Sequence, residues 1–293
     1  MSKSLLNISN LSKAFNDRKI LESIDFAVYE NELIGILGAN GSGKSTLFKI
    51  IINLISADSG YVKHTKEDLK LGFANNNYRS FYWRLTGRQN LNFFSAISGI
   101  NKSIFLNKID ELTDLFECKD ILDIPFSKYS SGQMQTFSLI RCLIDTPDIL
   151  LLDEPCTNLD INSSNLLKEK ILSYKNNFKT AILWSTHEAE EIEDIYNRIF
   201  IIQNSKLHEF NRGSFLSKKI RIKFRRESMQ ENHIKNFISQ FSVKLGQDGF
   251  INFDEANFEQ IGNFIGNNLK HIQVIDTNRN SLKGFYLEKI SRS

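Results

Sequence analysis

Between residues 5 and 28, short apolar runs at 5–8, 20–21 and 24–28 are separated by polar turns, a pattern that predicts a small antiparallel β-layer. Leu33–Leu37 then reads as a buried strand, and a glycine-rich turn follows it. Residues 45–54 carry Leu47, Ile50, Ile51 and Leu54 at helical spacing, so strand, loop and helix occur in that order. Residues 90–97 and 104–116 predict two more helices, the second with Phe105, Ile109, Leu112 and Phe116 on one face. Strand character at 70–74 gives way to these helices and to another at 133–144. It returns at 149–152, 180–184 and 199–203, with helices expected at 162–172 and 188–196. Alternation of this kind predicts an α/β fold, a mostly parallel sheet flanked by helices.

The character of the chain changes near Gly213. Residues 214–293 hold 13 Lys or Arg against 8 Asp or Glu, so the basic excess of a chain with net charge +3 lies in this tail. The tail reads as strand (219–224), helix (229–241), strand (243–253), helix (257–267), strand (272–276) and a last helix, which predicts a small α/β domain. Two domains, 1–213 and 214–293, suit a length of 293 residues, with a helical subdomain at about 78–147. The net charge is too small to make nucleic acid the default partner. No apolar run approaches the roughly 18 residues of a membrane-spanning helix. The first residues lack the apolar core of a secretory signal, and Cys118, Cys142 and Cys156 are too scattered for a disulfide framework or a zinc knuckle, so a reducing cytosol is expected.

Residues 38–45 read G-A-N-G-S-G-K-S, placed between the predicted strand and helix. Gly38, Gly41 and Gly43, with Asn40 and Ser42 between them, let successive backbone N–H groups turn inward at a helix N-terminus, where the helix dipole also favours phosphate. Such a loop predicts Lys44 on the β- and γ-phosphates of a nucleotide, the Ser45 hydroxyl on Mg²⁺, and a further phosphate hydrogen bond from Thr46. Downstream, the apolar run 149–152 ends in Asp153 and Glu154, two carboxylates at the carboxyl end of a buried strand, where clefts open in α/β sheets. The expected division of labour gives Asp153 the metal and Glu154 the attacking water.

With these come Tyr129-Ser130-Ser131-Gly132-Gln133 about 20 residues before the carboxylates, then Asn158-Leu159-Asp160, and His187 after Ser185-Thr186. In order and spacing, residues 5–213 resemble the ATP-binding cassette (ABC) ATPases. The resemblance implies a P-loop cassette with a mixed sheet core, an N-terminal antiparallel layer and an inserted helical subdomain. It implies ATP and Mg²⁺ as ligands and two cassettes paired head to tail, with Ser130, Gly132 and Gln133 of one, and its Asp160, reaching the nucleotide of the other. It also puts His187 on the γ-phosphate and Phe15 on the adenine ring. A homodimer beneath a separately encoded permease, peripheral at the cytoplasmic face of the plasma membrane, is the expected assembly.

The chain departs from the family at three places. Tyr129 and Ser131 stand where Leu and Gly are common, and Asn75, Asn76 and Asn77 replace the usual Gln after the 70–74 strand, with Asn76 expected nearest the metal. Residues 79–94, with Trp83, Arg84 and Leu85, resemble the stretch found in subunits of two-component exporters. Export is therefore the expected direction. The alternatives are a cassette of translation or DNA repair, disfavoured by the single glycine loop and lack of sustained heptads, and a regulatory cassette, to which the missing Gln lends slight support. In the tail, Lys219, Arg221, Lys223 and Arg225 alternate with Ile220, Ile222 and Phe224, so one face should be apolar and the other basic, either simply solvated or turned to anionic lipid or an acidic partner. Residues 281–287 resemble the terminal helix of the accessory domain on exporter-type cassettes.

Overall fold

A computed structural model describes residues 3–76, 78–210, 220–225, 227–241, 243, 250–253 and 258–276. The chain divides into two compact units, Met1–Phe210 and Asn211–Ser293.

In the first unit the three apolar runs merge into two long strands, β1 (Ser4–Phe15) and β2 (Arg18–Tyr29), paired antiparallel. The polar interruptions are irregularities within the strands: Asn10 and Ser23 have positive φ, and the register shifts between Ile8 and Leu11. A third strand, β4 (Ser59–His64), pairs with the other edge of β1. It carries almost no buried side chain, which explains why its alternation is illegible in the sequence. Gly60 allows the approach, since a Cβ there would lie 2.2 Å from the carbonyl oxygen of Asn10.

The second layer is a six-stranded sheet. Its order is β5 (Leu71–Asn75), β6 (Ile149–Asp153), β7 (Ala181–Thr186), β3 (Leu33–Leu37), β8 (Arg198–Gln203) and β9 (Lys206–Phe210). All neighbours are parallel except β8 and β9, which form a hairpin through Asn204 and Ser205, both at positive φ as a tight two-residue turn requires. β3, β6 and β7 are buried along nearly their whole length, so they read as continuous apolar runs. Pairing sets Asn75 beside Asp153 and Asp153 beside Ser185, which places the carboxyl ends of three strands on one rung.

Helix α1 (Lys44–Ile51) starts just beyond the end of β3. Between β5 and β6 the regular elements among the described residues are helical, α2 (Gly87–Ile97), α3 (Lys102–Leu115), α4 (Ser131–Leu143) and short 3₁₀ turns, apart from one isolated bridge between Thr86 and Pro125. Each helix opens on a side-chain cap, from Thr86, Asn101 and Ser130. Helix α5 (Ile161–Phe178) is capped by Asp160 and runs six residues past its predicted end, held by the fully buried Tyr174 and by Lys175, which donates to Asn31. The predicted helix at 188–196 is corrected to one 3₁₀ turn, Ala189–Glu191. Five carboxylates between Glu188 and Asp194 repel one another, and Ile192 instead packs on β3, where a Cβ at Gly35 would come 2.4 Å from it.

The second unit contains an antiparallel sheet ordered β11 (Ile251–Phe253), β10 (Ile220–Phe224) and β12 (Ile272–Asp276), with α6 (Asn232–Gln240) and α7 (Phe258–Asn268). Ile222, Phe224, Ile234, Phe237, Ile251, Phe253, Ile261 and Ile272 form its core. The expected basic face is partly visible: Lys223 is half-buried and Arg225 exposed, while Lys219 and the final helix at 281–287 lie outside the described residues. No helix among the described residues is long and apolar enough to cross a membrane.

Candidate active site

The glycine loop is built by backbone geometry. Gly41 and Gly43 take φ values of +77° and +112°, the left-handed region that favours glycine. Gly43 also packs tightly, since a Cβ there would lie 3.0–3.1 Å from Ile20 and Leu21. It is the N-cap of α1 and offers no side chain, so no cap competes for the N–H groups of the first turn, the positive end of the helix dipole. Gly38 N–H donates to Thr186 O at 3.2 Å, which ties the loop to the end of β7.

Lys44 is buried, with its Nζ donating to Gly38 O at 2.7 Å and Ala39 O at 3.2 Å and lying 3.1 Å from Glu154 Oε1. Glu154 is thus the counter-ion of the loop lysine. Its other oxygen accepts from Thr157 Oγ1 at 3.3 Å and lies 3.4 Å from His187 Nδ1. Its backbone has φ of +52°, a left-handed conformation uncommon outside glycine, held by hydrogen bonds from its N–H to both O and Oγ of Ser185 at 3.1 Å. The Ser185 hydroxyl in turn donates to Asp153 Oδ1 at 2.7 Å. Fully buried Ser185 therefore positions both carboxylates, a role the sequence analysis missed although Ser185-Thr186 precedes His187.

A cavity of about 410 Å³ opens here, lined by the loop and start of α1 (Asn40, Gly41, Gly43, Lys44, Ser45, Thr46), by Asn75, Asn76, Asp153 and Glu154, and by Ile20. Ile20, unremarkable in sequence, is brought in by the turn into β2. Phe15 is not among the lining residues. It sits at the hairpin end of β1 opposite Arg18, 46% exposed, with Lys13 Nζ 5.4 Å from its ring centroid. Asn76 Nδ2 donates to Glu154 O at 2.9 Å, leaving Asn76 Oδ1 buried with no hydrogen-bond partner. Ser42 Oγ and His187 Nδ1 are also buried without hydrogen-bond partners. The unpartnered Asn76 Oδ1, at a cavity of amides, a lysine and carboxylates, suits a charged, metal-bound phosphate chain, with Ser45, Asp153 and Asn76 as available oxygen donors.

Ser130, Gly132 and Gln133 lie elsewhere, beside a second cavity of about 250 Å³ that shares no lining residue with the first. Ser130 caps α4: Gln133 N–H donates to Ser130 Oγ at 3.2 Å, and Ser130 N–H donates to Gln133 Oε1 at 2.9 Å. Asp160 caps α5 by accepting from Ser163 N–H at 3.0 Å and Ser163 Oγ at 2.6 Å, which lowers its pKa below the ordinary aspartate value. The structure therefore brings together Lys44, Ser45, Thr46, Asn76, Asp153, Glu154 and His187, and sets Ser130, Gly132, Gln133 and Asp160 apart from them.

Tyr129, the first residue of the Tyr129–Gln133 string, is a packing residue. It is buried against Phe126 and Phe137, and its hydroxyl donates to Ile121 O at 2.7 Å. A Cβ added at Gly87, in the first turn of α2, would lie 2.1 Å from the Tyr129 hydroxyl and 2.3 Å from the Phe137 ring. Gly87→Ala should therefore destabilise the first unit by about 1–3 kcal/mol. Thermal unfolding would check this, and Tyr129→Phe in the same chain should recover part of the loss.

Asn90, also missed in the sequence, is fully buried and holds the loop before α2. It accepts from Tyr82 N–H at 2.8 Å and donates to Tyr82 O at 3.0 Å and Thr86 O at 3.1 Å. Tyr82, Trp83 and Phe93 stand at the surface of this subdomain, each more than a third exposed. All three cysteines are free, and burial raises the thiol pKa of Cys118 to about 12 and of Cys156 to about 11, so both serve as neutral packing groups.

The family profile described as ABC transporter matches residues 21–157. The chain is 29% identical over 216 residues to the ABC transporter ATP-binding protein NatA of Bacillus subtilis, covering 69% of this chain and 87% of NatA. It is 32% identical over 218 residues to the ABC transporter ATP-binding protein MJ1023 of Methanocaldococcus jannaschii, covering 74% of this chain and 81% of the other. Relatives named for opposite directions match at the same 28%: the Nod factor export ATP-binding protein I of Sinorhizobium fredii, covering 69% of this chain and 61% of that one, and a sulfate/thiosulfate import protein, CysA, of Chlorella vulgaris, covering 72% and 92%. Among solved structures, cbiO1 of Clostridium perfringens, part of the cbiONQ transporter complex, superposes with a TM-score of 0.64 at 19% identity, covering 70% of this chain and 87% of cbiO1, a likeness of fold. Since the archaeal relative shares nearly a third of its aligned residues over most of both chains, this chain belongs to the family of ATP-binding subunits of ABC transporters.

Proposed function

We propose that the chain hydrolyses MgATP and, paired with a second copy, drives export through a separately encoded membrane permease from the cytoplasmic face. The observation that carries the hydrolytic part is the contact of buried Lys44 with Glu154 at the end of β6, in a cavity walled by the glycine loop. Entering phosphate oxygens would compete with Glu154 for Lys44, freeing the carboxylate beside His187 to accept a proton from the attacking water. The water oxygen would then bond to the γ-phosphorus as the bond to the leaving ADP oxygen breaks. Asp153, oriented by Ser185, and Ser45 would hold Mg²⁺, with Asn76 Oδ1 as the shorter substitute for the family's Gln. The ion supplies neutralisation of charge on the phosphates.

Pairing is supported by the separation of the two sets of residues. A site that needs Ser130 and Gly132 as well as Lys44 would be completed by another copy, because in one chain they line different cavities. Export is supported by the resemblance of residues 79–94 to exporter subunits, by the exposed Tyr82, Trp83 and Phe93, and by the relative named for Nod factor export. The test is to purify the chain from detergent-solubilised membranes of cells that express it. A polytopic hydrophobic protein should accompany it and raise its phosphate release. Recovery with ribosomes or DNA instead would replace this reading.

A further inference from the structure

Outside the nucleotide cavity, three side chains of the second unit converge on one point. Glu231 directly precedes α6, His233 is its second residue, and His271 ends the 3₁₀ turn Leu269–His271 between α7 and β12. One donor atom from each lies within 4.8 Å of the others. Glu231 Oε2 stands 3.4 Å from His233 Nδ1, and Oε1 stands 3.2 Å from His271 Nδ1. The imidazole rings meet at 70° with centroids 5.3 Å apart.

The surrounding hydrogen bonds fix which nitrogen of His233 is available. Asn268 Nδ2 donates to Phe264 O at 2.9 Å, which leaves Asn268 Oδ1 facing His233 Nε2 at 3.1 Å. An amide oxygen can only accept, so Nε2 carries a proton and Nδ1 is the nitrogen that faces the Glu231 carboxylate. A cation between Nδ1 and the carboxylate oxygen, a proton or a metal ion, joins the two groups. His271 faces Glu231 from the other side, its Nδ1 also 3.0 Å from Ser228 Oγ, with its side chain only 12% exposed.

Two imidazole nitrogens and a carboxylate, one ring oriented from behind by an amide, form the donor set of a borderline divalent ion; harder ions such as Mg²⁺ or Ca²⁺ prefer oxygen throughout. With bonds of 2.0–2.1 Å, donors around a tetrahedral ion are spaced by about 3.3 Å. Each imidazole nitrogen stands at about that spacing from one oxygen of Glu231, Oε2 for His233 and Oε1 for His271, so the carboxylate would bind through both oxygens or turn to present one. His233, with its side chain 48% exposed, is free to turn and close the remaining edge. Ser228 Oγ or a water would complete the coordination.

We propose that Glu231, His233 and His271 bind a divalent transition ion of the zinc class, which staples the start of α6 to the connection between α7 and β12. The test uses the full chain, stripped of metal by a chelator and titrated with Zn²⁺ in excess Mg²⁺ without nucleotide. One equivalent should bind and raise the unfolding temperature. Co²⁺ should give visible ligand-field bands without a thiolate charge-transfer band, since none of the three ligands is a cysteine. His271→Ala and Glu231→Gln should each weaken Zn²⁺ binding at least tenfold, while His64→Ala and His208→Ala leave it unchanged. Should His271→Ala fail to fold, the half-exposed His233→Ala carries the same expectation. Absence of Zn²⁺ binding, a thiolate band with Co²⁺, or undiminished affinity in His233→Ala would overturn the proposal.

Discussion

Glu154→Gln is expected to lower phosphate release by about 10²–10⁴-fold while nucleotide stays bound, the usual worth of a general base. The amide keeps the shape of the side chain and can still meet Thr157 and His187, but it cannot accept the proton of water at neutral pH. It also removes the negative charge that holds Lys44 at 3.1 Å, so nucleotide affinity should be retained or increased. The variant should therefore accumulate as a nucleotide-bound dimer, visible as a doubling of mass by light scattering with MgATP. Near-normal hydrolysis would remove Glu154 from its role, and a persistent monomer would remove the pairing.

The second large effect is expected from Lys44→Ala. Charge-assisted hydrogen bonds contribute about 1.5–3 kcal/mol each, so losing a lysine that serves two phosphates should weaken MgATP binding by about 10²-fold or more. The same change strips Gly38 O and Ala39 O of their donor and leaves Glu154 without its cation, so some intrinsic stability is lost as well. Ligand-induced stabilisation separates the two effects. Saturating MgATP at about 100 times its dissociation constant should stabilise the native chain by about 2.7 kcal/mol and raise its unfolding temperature, against at most about 0.4 kcal/mol in the variant at that concentration. An equal rise in both would contradict the phosphate cradle.

The parts of this site legible in the sequence are those where one local pattern carries both the fold and the chemistry. Leu33–Leu37, the glycine loop and α1 form one continuous signal, and the run into Asp153 and Glu154 is apolar because β6 is covered on both faces. What escaped depends on partners distant in the chain. Ile20 reaches the cavity because β1 and β2 pair, and Ser185 matters because parallel pairing lays it beside Asp153. The edge strands β4 and β9 bury little and so leave no alternation to read. At 188–196 the spacing of Ala189, Ile192 and Tyr196 was helical, yet crowded carboxylates and the docking of Ile192 on Gly35 produced a single tight turn.

The shared rung of Asn75, Asp153 and Ser185 limits how such a site can be retuned. Sliding any of these strands by one residue would turn its side chains to the opposite face and dismantle the buried layers on both sides. The backbone therefore behaves as a fixed ruler, and only the length and chemistry of the side chains beside it are adjustable. On the proposed reading, Asn76 in place of a Gln would be an adjustment of that kind, trimming one methylene from the reach of an amide while leaving the frame untouched.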